Sequence, residues 1–208
     1  MKLKYFIISG LLLIVIGLVA CIVGYTNEGF NQSFDELTTE VSTKTYSLEE
    51  VSKISFDSNV DELEIISTTG NEIKVTTSVK GGFYYDMNVE GKVLNIEQDS
   101  NSIFTNGSCE VVIEIPSSAT IDLEINVDTG EVDIENIKSS NIKVEVNVGN
   151  VEINNTDFVN LNVEVEVGNI DLNLMGSSID YIINGKGTGP KIVTTKTDIG
   201  ETDIEYNN

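Results

Sequence analysis

The chain has 208 residues, of which 34 are acidic and 12 are lysine, with no arginine, histidine or tryptophan and a net charge of −22. That length suits one folded domain with an appendage, and the missing side chains exclude imidazole-based triads, His-ligated zinc and guanidinium clamps on phosphate or carboxylate. So acidic a surface repels phosphate backbones, so nucleic acid is not an expected partner, whereas cations and basic partners are compatible.

Lys2 and Lys4 precede an uncharged, largely apolar run from Phe6 to Tyr25. As a helix that run spans about 30 Å, the thickness of a bilayer's hydrocarbon core. Lysines before it and acids beyond it place the N-terminus in the cytoplasm and the rest of the chain outside, as a single-pass membrane protein. Residues 1–25 are therefore expected to anchor the protein to the membrane. Leu18-Val19-Ala20-Cys21 also fits the signal of a bacterial lipoprotein, in which Cys21 would be lipidated and the product a lipid-anchored, ligand-binding protein. The apolar residues Ile22 and Val23 run on past that cysteine and favour the uncleaved transmembrane helix.

Residues 26–50 are polar and acidic and read as a spacer; Ser47 and Glu50 have the spacing of a capping box, but so short a match is weak evidence for a helical turn. From Val51 a period of two takes over. Ile54 and Phe56, Leu63 and Ile65, then Ile73 and Val75 alternate with polar residues; residues 93–96 and 109–115 form two more strands, closed by Pro116. Cys109 falls in step with Val111 and Ile113, which makes it a small buried hydrophobe and not a reactive thiol.

Residues 121–174 carry one pattern three times at a spacing of nineteen. Leu123, Ile125, Val127, Gly130, Val132 and Ile134 recur as Ile142, Val144, Val146, Gly149, Val151 and Ile153, and again as Leu161, Val163, Val165, Gly168, Ile170 and Leu172. The parity of the apolar positions changes at each glycine. Such a repeat predicts an all-β fold, a β-solenoid-like stack of parallel coils. An antiparallel β-meander or sandwich, with each glycine closing a hairpin, is the alternative; constant spacing without insertions favours stacking. The inward aliphatics are too few to offset the ordering entropy of the repeat alone, so residues 51–116 should pack with it, giving an extracytoplasmic domain over 51–208. A fourth copy at the same spacing would put its glycine at Gly187, but Tyr181 and Ile183 are out of step, and the end reads as a C-terminal cap with strands at 192–195 and 203–206.

The order of these strands, from Ile54-Ser55-Phe56 through Val93-Leu94-Asn95-Ile96 and Val112-Ile113-Glu114-Ile115-Pro116 to the repeats with Val-Gly-Asn turns, resembles the "putative adhesin" β-strand-repeat domain of the LiaG-like group of bacterial envelope proteins. The resemblance implies an extracytoplasmic module of a domain family of unknown function, often behind one N-terminal membrane segment, and supplies no site residues to carry over. The expected role is a non-enzymatic surface for interaction with an envelope protein or wall polymer.

Stacking at nineteen residues would align Asp133 with Glu152 and Asp171, and Asp128 with Asn147 and Glu166. Like charges at strand spacing repel unless solvated or neutralised. A solvated acidic face is the expected reading, with no cofactor and no metal site; calcium held by the carboxylates is the alternative. A carbohydrate-cleaving β-helix enzyme using an acid pair is disfavoured, because the acids point outward and no arginine is present to orient a sugar acid. No catalytic residues are assigned.

Overall fold

The computed structural model describes residues 39–100 and 107–207. The expected anchor at 1–25, Cys21 and residues 26–38 of the expected spacer lie outside the described residues. Among the described residues no helix is long and apolar enough to cross a membrane.

Alternating apolar and polar side chains make strands nearly throughout. In chain order they are β1 (Glu40–Ser47), β2 (Lys53–Thr68), β3 (Glu72–Val79), β4 (Phe83–Glu90), β5 (Val93–Ser100), β6 (Cys109–Pro116), β7 (Asp122–Glu135), β8 (Asn141–Asn154), β9 (Asn160–Met175), β10 (Tyr181–Ile183), β11 (Lys186–Gly187), β12 (Lys191–Ile199) and β13 (Thr202–Asn207). One 3-10 turn, Ser178–Asp180, lies between β9 and β10.

The repeats stack in parallel. Leu123 pairs with Ile142 and Ile142 with Leu161, while Val132 pairs with Val151 and Val151 with Ile170. The hairpin alternative does not hold over the repeats, because each glycine is a bend inside one long strand and not a reversal. Every such strand has a first limb, such as 122–127, and a second limb, such as 131–135, and the chain turns a corner between them at the glycine. At that corner two consecutive residues, Asn147 and Val148 in β8, both face solvent, which is why the buried set changes parity.

The glycines are required by the stacking. Gly130, Gly149, Gly168 and Gly200 have φ of +157°, +152°, +147° and +148°. A Cβ on Gly130 would lie 1.8 Å from the Asp61 carbonyl oxygen, and Cβ atoms on the next three would lie 1.7, 1.6 and 1.6 Å from the carbonyl oxygen of the glycine one coil earlier. No side chain fits where one coil's backbone sits on the next.

The stack extends beyond the three copies at both ends. Before them, β2 pairs in parallel with β7, with Asp61 opposite Gly130. Below β2 the coil splits: β5 continues the first limb and β6 the second, both parallel to β2. The pairs Leu63–Ile65 and Ile54–Phe56, which read as separate strands in the sequence, are thus two limbs of one. Antiparallel strands finish this end, β4 on β5, β3 on β6 and β1 on β3. β1 lies inside the stretch expected to be a spacer, so residues 40–47 belong to the sheet; its Thr- and Ser-rich sequence gave no apolar alternation to recognise. A turn does form at Ser47 despite the weak signal, with the Val51 and Glu50 amides donating to the Ser47 carbonyl.

After the repeats, β12 and β13 pair with the two limbs of β9, Val193 opposite Leu161 and Ile204 opposite Leu172. The fourth glycine is therefore Gly200, which stacks on Gly168, and not Gly187. An insertion holding the 3-10 turn, β10 and β11 displaces it along the chain. One continuous core joins all coils, from Val51, Ile54 and Phe56 through Ile125, Val144 and Val163 to Tyr181 and Val193. Residues 51–116 and the repeat do pack together, as the stability argument required.

Candidate functional site

The outward faces of the two limbs differ in charge. On the first limb lysines interleave with acids: Lys53 reaches Glu124 at 2.6 Å, Lys143 reaches Glu145 at 2.9 Å and Lys196 pairs with Glu164. The Lys53 ammonium holds the Glu124 carboxyl below the usual carboxylate range. On the second limb no lysine occurs in residues 62–68, 131–135, 150–154, 169–175 or 201–207.

Glu64, Asp133, Glu152, Asp171 and Asp203 therefore form one continuous column, paired rung by rung across five coils. The expected alignment of Asp133, Glu152 and Asp171 is present and is extended by one carboxylate at each end. Glu62, Glu131, Asn150 and Asn169 form the neighbouring column. An open groove of about 380 Å³ runs over this face, lined by Glu64, Asp133, Glu152, Asp171 and Asn150 among others. Partial burial, and then the charges of Glu152, Glu64, Glu135 and Glu131, push the Asp133 carboxyl above its ordinary value. Amides relieve part of the repulsion: Asn150 Nδ2 donates to Glu131 Oε1 at 3.4 Å and Asn154 Nδ2 to Glu152 Oε1 at 2.6 Å. In the other expected column, Asn147 Nδ2 donates to Asp128 Oδ1 at 2.8 Å. Among the described residues no three or more acidic, cysteine or histidine side chains are gathered so as to hold a metal ion.

A second cluster is buried, and the sequence did not reveal it. Asp61 occupies the position that later coils give to glycine and is only 2% exposed. Tyr85, from β4, donates its hydroxyl to Asp61 Oδ2. Gln98, from β5, clamps the corner: its Nε2 donates to the Val60 carbonyl at 2.8 Å and to Tyr85 Oη at 3.2 Å, and its Oε1 accepts from the amides of Asn59 and Val60. Ser58 Oγ and Asp61 Oδ1 are buried without a hydrogen-bond partner among the described residues. Burial pushes the Asp61 carboxyl up to about 7, against the opposing pull of Tyr85. Burial and the Asp61 charge raise Tyr85 steeply and Cys109 as well. Cys109 is 4% exposed and, with its thiol pushed up, is the inert buried residue expected. A signal for Asp61 was present: Val60-Asp61-Glu62-Leu63-Glu64-Ile65 matches Thr129-Gly130-Glu131-Val132-Asp133-Ile134 at every apolar inward position and every outward acid.

No curated protein matches the chain in sequence. Among solved structures, a "putative cell adhesion protein" from Clostridium sporogenes superposes with a TM-score of 0.61 at 15% identity, over 82% of this chain and all (100%) of that one. A "putative adhesin" from Bacteroides fragilis has 12% identity over 82% of this chain and 99% of its own, with a TM-score of 0.35. The first shares the fold; the second is too loosely superposed to add to that. The family model described as Toastrack DUF4097 matches residues 51–188, from the first limb of β2 into the cap, and the chain belongs to that family.

Proposed function

We propose that this protein is a non-enzymatic interaction module of the bacterial cell envelope, held at the membrane by residues 1–25 with the domain outside and offering its second-limb face to an envelope protein or wall polymer. The observation that carries this reading is the lysine-free column Glu64–Asp133–Glu152–Asp171–Asp203, rigidly spaced by the sheet and open to solvent. Such a face attracts basic groups and repels anionic lipid, so it suits a cationic partner. The positions of the titratable groups support the non-enzymatic reading. The carboxylates outside are solvated, and the one with a strongly perturbed pKa, Asp61, is sealed from substrate.

The test is cross-linking in intact cells from a photoreactive residue substituted for Asn150, at the edge of the groove. The expected result is an adduct with a membrane protein or wall polymer, lost when Asp133, Glu152 and Asp171 are changed to amides. Absence of any adduct, or an adduct with a cytoplasmic protein, sinks the reading. Protease added to intact cells should remove the domain, and its survival there would refute the outside location.

A further inference from the structure

The corner of the stack carries an exposed apolar ridge that packing does not use. Val60, Thr129, Val148, Val167 and Ile199 pair in sequence across five coils, each just before Asp61 or the corner glycine. The four aliphatic members are 40%, 48%, 41% and 67% exposed. Aliphatic side chains at a solvent-facing corner gain nothing there by themselves, and in one line they make an apolar strip interrupted only at Thr129.

Charge flanks the strip on both sides. The residues just before it include Asp128, Glu166 and Asp198, and those two positions after it include Glu62, Glu131 and Glu201; all six are exposed. No lysine occurs in residues 59–62, 128–131, 147–150, 166–169 or 198–201. Only Asp198 has a cationic neighbour among the described ion pairs, Lys196 at 3.4 Å. An occupant must therefore be apolar along its centre and basic along both margins.

The spacing selects the occupant's backbone. Rungs of the ridge repeat at about 4.8 Å, so its five members span about 19 Å. Side chains at i and i+3 or i+4 on an α-helix repeat on average about every 5.2 Å, so a helix laid across the strands stays in step with the ridge from end to end. An extended segment laid the same way repeats its same-face side chains at about 6.7 Å and loses register by more than one rung.

We propose that this ridge is a docking site for a cationic amphipathic helix of a protein partner, about 13 residues long, with its apolar stripe on Val60, Val148, Val167 and Ile199 and its lysines or arginines on the flanking carboxylates. This deepens the reading of the domain as an interaction module and rests on it.

The experiment uses the full-length chain in a neutral detergent and a fluorescent synthetic helix of about 14 residues, with leucine at i, i+3/i+4 and i+7 spacing and lysines alongside. A scrambled peptide of the same composition and charge is the control, and binding to empty micelles is subtracted. Binding with a Kd on the order of tens of micromolar at physiological salt is expected, roughly tenfold weaker for the scrambled peptide. Val148→Thr, Val167→Thr and Ile199→Thr together put hydroxyls on the ridge, near-isosterically at the two valines, and should weaken binding by roughly tenfold. Thr129→Val fills the one polar gap in the ridge and should tighten binding by roughly twofold to threefold, which tests the site without relying on a loss. Equal affinity for the scrambled peptide, no response to both ridge variants, or no binding at all overturns the proposal. Binding that responds only to salt and to second-limb carboxylate changes would overturn the ridge while leaving the interaction module intact. A failure in intact cells with ridge binding retained would do the reverse.

Discussion

Asp61 makes the sharpest prediction, because a carboxyl stands where the stack elsewhere places glycine. Side chains face it as Tyr85 from β4, Gln98 from β5, Cys109 from β6, and Ser58 and Glu62 from its own strand, while β7 places Gly130 opposite it. None is a cation. With a folded pKa near 7 and an ordinary unfolded value of 3.8, the folded state holds a proton that the unfolded state has lost across that interval. Unfolding then releases a proton, so stability falls as pH rises. The contribution is fully present below about pH 4, declines by about 1.4 kcal/mol per pH unit up to about pH 7, and is flat above it. From pH 5 to pH 8 the loss is on the order of 2.5 kcal/mol, or about 5–10 °C in Tm for a chain of this size.

Asp61→Asn isolates that contribution. The amide is neutral at every pH, its oxygen can accept from Tyr85, and its nitrogen can donate to the unpartnered Ser58 Oγ. Urea denaturation of both chains from pH 4 to pH 9, followed by circular dichroism, gives the difference directly and cancels the other carboxylates. The variant should gain on the wild type steadily between about pH 4 and 7 and hold a constant advantage above. Parallel stability profiles over that interval would refute the buried-proton reasoning, as would a variant that is less stable at pH 8.

Gly149→Ala should cost at least about 4 kcal/mol, because its Cβ meets backbone that cannot move without parting two coils, and thermal melting should show the chain unfolded or nearly so. Deleting residues 136–154 removes one whole coil and joins Glu135 to Asn155, which has the same left-handed conformation as Asn136 (φ 47° and 57°). The shortened chain should still melt cooperatively, whereas a deletion one residue longer should not, since a slip of one residue turns the inward side chains outward; equal behaviour would contradict the stacking. Millimolar calcium should raise Tm no more than sodium of matched ionic strength, since the column is open to water, and a larger calcium-specific shift would reveal a bound ion.

The repeat itself was legible because stacking imposes one residue type on each position: inward aliphatics, a corner glycine and outward acids recur without insertion over residues 121–174. The fourth coil was also written in the chain, since Asp198-Ile199-Gly200-Glu201-Thr202-Asp203-Ile204 repeats the scheme of Asp128-Thr129-Gly130-Glu131-Val132-Asp133-Ile134. The insertion around β10 and β11 hid it by breaking the nineteen-residue count, so that Gly187 fell in the place expected for Gly200. β1 was illegible for a different reason. Its side chains are mostly exposed, and its place is set by backbone pairing with β3, which leaves no periodic trace. The alignment of Asp61 with the corner glycines could have marked its place in the stack, but a carboxyl between Val60 and Glu62 gives no sign of burial until Tyr85 and Gln98 are brought over it by β4 and β5.

The difference between the two limbs bears most directly on function. Both are built from the same coils and bury the same kind of apolar side chain, so packing gives no reason for their outer faces to differ. Two like charges at strand spacing in water repel by on the order of 1 kcal/mol before salt screening, and a column multiplies that cost by its number of rungs. On the first limb the chain offsets it with Lys53, Lys143 and Lys196; on the second it places no lysine in any of the five coils. The same residue type was available at the same register, so the uncompensated face is not forced by the fold. A cationic partner would remove that repulsion on binding, which is why the second limb and the apolar corner beside it are where the interaction chemistry of this protein should be sought.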